Sequence, residues 1–95
     1  MQTSTITITA SGANPRNVQV NVGERVRFIN NDNRDHNMTS DPHPDHDRCP
    51  ALNQVGLLRP GQSRETLNLS LPDVCGFHDH DLPNVVNLQG SITIR

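Results

Sequence analysis

Every apolar run in this chain is short and alternates with polar residues at a spacing of two. Thr5-Ile-Thr-Ile-Thr9 puts Ile6 and Ile8 on one side, and Val18, Val20 and Val22 repeat the pattern. Val26 and Phe28 alternate with Arg25 and Arg27, Leu67, Leu69 and Leu71 alternate with polar residues, and Ile92 and Ile94 close the series. A period of two is the mark of a half-buried strand, and Val and Ile suit a pleated surface. No window carries the spacing of an amphipathic helix. Turn clusters at residues 11–15, Gly23-Glu24, residues 59–62 and Pro72-Asp73 separate the runs. The pattern predicts a single all-β domain over residues 1–95, a β-sandwich of about seven strands. Val74–Phe77 is expected to be a short strand running into His78, whereas no period is sustained from His36 to Leu58. A stretch that long without periodicity is expected to be a functional loop.

A chain of 95 residues buries a modest core, and this one has two aromatics, Phe28 and Phe77, with no Trp or Tyr. Domains of this size often rely on a staple or a metal. The two cysteines, Cys49 and Cys75, allow one bridge, a metal-thiolate site or two free thiols. A bridge would contribute about 3–4 kcal/mol on the chain-entropy account and would imply an oxidising compartment. The net charge of −2 argues against a nucleic-acid partner, and no apolar run approaches a membrane span. No signal peptide is visible. Met1-Gln-Thr-Ser-Thr5 reads as a start residue placed on a mature sequence, so a periplasmic or secreted location is expected.

All five histidines fall in two short stretches, each holding one cysteine. His36, His43 and His46 lie before Cys49, and His78 and His80 follow Cys75. Neutral imidazole is the commonest side-chain metal ligand near pH 7. His78-Asp-His80 places two imidazoles on one face of an extended chain, within reach of one ion. His43-Pro-Asp-His46 sets two more in a proline-braced loop. The bland alternative is a pair of solvated acidic loops. Among the flanking carboxylates, Asp79 is expected to orient a ligating imidazole through its second nitrogen, the others to be solubilising. Met38 offers a thioether, but packing is its more ordinary use. Cys75-x-x-His78 has two readings, a thiolate-imidazole copper pair or a bridge to Cys49. Cys75 shares strand parity with Phe77 and His78 does not, which favours the bridge. No nucleophile elbow, phosphate loop or H-E-x-x-H motif occurs, so no enzymatic activity is expected.

The chain resembles the cupredoxins. Val18–Val22, Gly23-Glu24, Val26–Asn30 and the loop into His36-Asn37 are similar to the opening of plastocyanin-type proteins, Leu58-Arg-Pro-Gly-Gln-Ser63 to their "L-x-P-G-x-S" turn, and Gly90-Ser-Ile-Thr-Ile94 to their last strand. The resemblance implies a Greek-key β-sandwich of cupredoxin type with His36 as first copper ligand. No methionine follows His78, and His78-Asp-His80 is instead similar to the H-x-H copper motif of multicopper oxidases. It therefore implies a mainly imidazole copper site of His36, His78 and His80, completed or neighboured by His43 and/or His46, with Cys49–Cys75 bridged. Zinc suits the same donors. The implied role is copper handling or electron transfer with a redox or copper-transfer protein partner. Two alternatives stand beside it. One is a thiolate one-electron carrier using His36, Cys75 and His78. The other is a zinc-stabilised or metal-free interaction module.

Overall fold

The computed structural model describes residues 4–41 and 49–95. These form β1 (Ser4–Thr9), β2 (Gly12–Asn14), β3 (Asn17–Val20), β4 (Val26–Asn30), β5 (His36–Ser40), β6 (Gly56–Leu58), β7 (Ser63–Glu65), β8 (Asp73–Asp79) and β9 (Gly90–Ile94). One sheet has the order β2-β1-β4-β7 and the other β3-β9-β8-β5-β6. Both are mixed, since β1 runs parallel to β4 and β3 parallel to β9. The expected all-β sandwich is present, with nine strands among the described residues instead of about seven. No helix among those residues is long and apolar enough to cross a membrane.

The alternating residues do what their period requires. Ile6 and Ile8 of β1, and Val26 and Phe28 of β4, turn inward from the first sheet and are fully buried. Met38, Leu58, Cys75, Phe77 and Ile92 meet them from the second. The only two aromatics of the chain, Phe28 and Phe77, touch across the sandwich edge to face, with ring centroids 5.2 Å apart and planes at 87°. That geometry sets the positive edge of one ring against the negative face of the other. Cys75, one inward step along β8 from Phe77, is bridged to Cys49 across a sequence separation of 26. Both cysteines are thus accounted for, and the bridge anticipated from strand parity is present.

Three departures from the sequence expectation have physical causes. First, β5 is a strand in the interior of the second sheet, not the start of a loop. Its alternation is regular, but two of its three inward residues, His36 and Ser40, are polar. Second, β2 forms inside the cluster read as a turn, paired back on β1 from Thr9↔Gly12 to Thr7↔Asn14. Gly12 turns the chain there with φ +113°, and a side chain at this position would run into Asn87. Third, residues 66–71 are not a ladder strand, and β4 pairs instead with the preceding Ser63–Glu65. The Thr66 hydroxyl accepts the Val26 N–H at 3.1 Å, and the Leu69 N–H goes to the Glu24 carbonyl at 2.9 Å, so the regular pairing stops there. Leu69 is buried while Leu67 and Leu71 are exposed.

Reducing the Cys49–Cys75 bridge is expected to lower unfolding stability by about 3–4 kcal/mol, because the loop it closes is freed in the unfolded chain. Urea denaturation with and without reductant measures this. A change below about 1 kcal/mol would show that the bridge leaves the unfolded ensemble unconstrained.

Candidate metal centre

Strand β8 presents different chemistry on its two faces. Cys75, Phe77 and Asp79 are buried on the inner side. The residues between them point the other way, so Gly76 and His78 share the outer side. In register, Met38 faces Asp79 and Thr39 faces His78. His36 has the parity of Met38 and lies inside. His36 and His78 therefore lie on opposite faces of the second sheet.

His36 is fully buried, and each of its ring nitrogens meets a carboxylate. Nδ1 is 2.7 Å from Oδ2 of Asp79, and Nε2 is 2.9 Å from Oδ2 of Asp32. Two hydrogen bonds need two hydrogens. Imidazolium between two carboxylates supplies them, as does neutral imidazole with one carboxylic acid. The carboxylates are themselves held. Oδ1 of Asp79 accepts the N–H groups of Asn37 at 3.3 Å and Asp81 at 3.0 Å. Oδ1 of Asp32 accepts the Asn33 N–H at 2.7 Å. Buried Asn30 braces the same loop, donating through Nδ2 to the carbonyls of Arg34 (2.7 Å) and Leu58 (2.9 Å). The His36 hydrogen bond, and after it the Asn33 N–H, hold the Asp32 carboxyl below its ordinary 3.8, burial opposing and Arg34 adding a little. No buried side-chain polar atom among the described residues lacks a partner.

His78 is also almost wholly buried, on the outer face. Its Nδ1 is 2.6 Å from Oδ1 of Asp41, and its Nε2 is 3.5 Å from the Thr39 hydroxyl. Asp41 is tied to the same strand through its backbone, its N–H donating to the Gly76 carbonyl at 3.0 Å. His80 follows the end of β8 and is half-buried, with its N–H donated to the Asn37 carbonyl at 2.6 Å. His43 and His46 lie outside the described residues. Met38 packs in the core.

These positions constrain the thiolate alternative and the surroundings of His36 and His78. The thiolate alternative fails, because Cys75 is in a disulfide and offers no thiolate. His36 is poorly suited to a metal as it stands, since an ion at either nitrogen would have to displace Asp32 or Asp79. His78 fits better. A carboxylate on Nδ1 fixes the ring, as is usual for a histidine that binds a metal through its other nitrogen. Among the described residues, no group of three or more His, Cys, Asp or Glu stands ready to hold an ion. Asp79, expected to orient a ligating imidazole, holds the buried ring of His36. Asp32 and Asp41 were not singled out by the sequence. Their roles come from loop geometry, and only the short spacing Asp32-x-x-x-His36 hints at one of them.

No family model and no curated protein matches the sequence. Solved structures do match it. A purple cupredoxin from Nitrosopumilus maritimus superposes with a TM-score of 0.73 at 20% identity, over 97% of this chain and 99% of that one. A mutant fern plastocyanin, solved oxidized and reduced, gives a TM-score of 0.74 at 19% identity, over 97% and 100%. An amicyanin variant described with Cu(I) gives 0.71 at 16%, over 98% and 82%. The likeness covers nearly the whole chain and establishes a cupredoxin fold.

The His36 arrangement makes two predictions. His36→Leu leaves Asp79 buried without its imidazole and is expected to cost about 3–5 kcal/mol in urea denaturation. A loss under about 1 kcal/mol would mean that water or a rearranged neighbour replaces the ring. The depressed Asp32 carboxyl contributes stability above its ordinary 3.8, which is lost as pH falls through the lower folded value. Asp32→Asn should therefore lower Tm at pH 7, and the gap from wild type should close below about pH 4. A gap that stays constant down to about pH 2.5 would contradict this origin.

Proposed function

We propose that this chain is an extracytoplasmic copper-binding protein with an imidazole site, acting in copper handling or electron transfer without catalysis of its own. The observation that carries the reading is the Asp41-held ring of His78, 2.6 Å from carboxylate oxygen to Nδ1, on a cupredoxin fold. The Cu(I) amicyanin variant and the oxidized and reduced plastocyanin among its structural neighbours support the choice of metal. The disulfide supports an oxidising compartment. Bound copper would supply a one-electron couple or be the cargo itself.

His78 leads the proposed ligand set, with His80 two residues along. His43 and His46 are proposed to complete it. The stretch that holds them runs from Asp41, bonded to Gly76, to Cys49, bridged to Cys75, so both flanking residues are fixed on β8. His36 enters the set only if Asp32 or Asp79 swings off its ring. Zinc could use the same donors. A second reading, a metal-free interaction module, is favoured by that same interior imidazole, which is satisfied without any ion.

Addition of one equivalent of Cu(II) is expected to give a weak ligand-field band and no intense thiolate charge-transfer band. Affinity should fall as pH drops from about 7.5 to about 5, since protons compete for imidazole. Competition with Zn(II) tests metal choice. An intense visible band would overturn the imidazole site. Absence of binding by either metal, with folding intact, would leave the metal-free reading.

A further inference from the structure

Gly76 sits within a strand, where glycine weakens pairing and packs nothing. Its backbone is not in the left-handed region, so conformational freedom does not explain it. Space does. A Cβ at residue 76 would collide with the carboxylate of Asp41. That carboxylate lies over the outer face of β8 and reaches one outward position further, to Nδ1 of His78. The Asp41 backbone is pinned at the same place by its N–H to the Gly76 carbonyl. Ser40 fixes the approach from the other side. Its hydroxyl donates to the Asp41 carbonyl at 2.9 Å and accepts the Cys49 N–H at 2.9 Å, while its own N–H goes to Asn53 Oδ1 at 2.8 Å.

The geometry points to Asp41 and Gly76 as a positioning pair that sets the tautomer and orientation of His78, Gly76 by vacating the space and Asp41 by filling it with a proton acceptor. An ionised carboxylate only accepts, so a ring hydrogen sits on Nδ1. A metal binding at Nε2 then meets a ring already in the required form, and the carboxylate raises its basicity. Thr39, across the strand pair, marks the Nε2 side at 3.5 Å. The consequence for metal affinity rests on the copper reading, whereas the tautomer assignment does not.

The test uses the full chain at pH 8. Two-bond ¹H–¹⁵N correlation spectra of the metal-free protein are expected to show His78 as the Nδ1–H tautomer. Asp41→Asn keeps size and removes the charged acceptor. The Asp41 side chain is about half exposed, so this variant retains the fold, as backbone amide spectra will check. The Nε2–H population of His78 should rise several-fold and Cu(II) affinity fall about 10–100-fold. Gly76→Ala, with Asp41 intact, should move both quantities the same way by pushing the carboxylate off the ring. Asp41→Glu should recover part of the tautomer preference, which a purely structural role would not produce. An unchanged tautomer in both Asp41→Asn and Gly76→Ala overturns the proposal. So does an unchanged Cu(II) affinity in those variants when wild type binds. If wild type binds no Cu(II) yet the tautomer moves in both variants, the copper reading fails and the positioning of His78 stands.

Discussion

The alternation of one strand decides most of what this molecule can do. β8 pairs with both β5 and β9, and its period of two is fixed by Phe77 and Cys75 having to be inside. A slip of one residue would expel the aromatic contact and the disulfide together. Once those two are placed, the neighbours have no choice. Asp79 falls inside, where it must find a donor, and Gly76 and His78 fall outside. The ring of His36 inside and the ring of His78 outside are then two separate chemical problems, solved by separate carboxylates.

The interior solution is the costlier one. Asn30, His36 and Asp79 are fully buried polar side chains in the part of the sandwich where β4 and β8 end and β5 begins. Each would lose about 1–3 kcal/mol if left without partners. The structure answers with hydrogen bonds that close on one another. Asn30 holds the loop that carries Asp32, Asp32 and Asp79 hold His36, and main-chain N–H groups hold both carboxylates. Such a network adds little net stability but is intolerant of partial change, because removing one member strands the others. It fixes the geometry of the β4–β5 connection more than it glues the fold.

Much of the fold was legible because apolar residues mark the inner face of β1, β4 and β9, and part of β3. β5 was illegible for the opposite reason. Its inner face is His36, Met38 and Ser40, and hydrophobic periodicity has nothing to count. Residues 66–71 show the converse error, an alternating pattern whose regular pairing is broken by the Thr66 hydroxyl on the Val26 N–H and by the Leu67 and Leu69 N–H groups turning to the Ala51 and Glu24 carbonyls. At the candidate site the imidazoles and the bridge could be read from residue type and parity. The partners of those imidazoles could not, apart from Asp79, since Asp32 and Asp41 arrive from loops whose path depends on tertiary contacts. Gly76 could be read as an oddity in a strand but not as space reserved for a residue 35 positions earlier.

The parallel pairing of β3 with β9 has a consequence for biogenesis. Asn17 and Ser91 lie side by side although 74 residues separate them. β3 has no other neighbour in its sheet, so Val18 and Val20 have no ladder until residues 90–94 exist. At about 5–20 residues per second, a ribosome takes several seconds to make the intervening chain. Throughout that interval the second sheet is incomplete, and β9 is absent from the edge of β8. Closure of the second sheet is therefore a late event that waits on the five residues of β9, almost the last to be made.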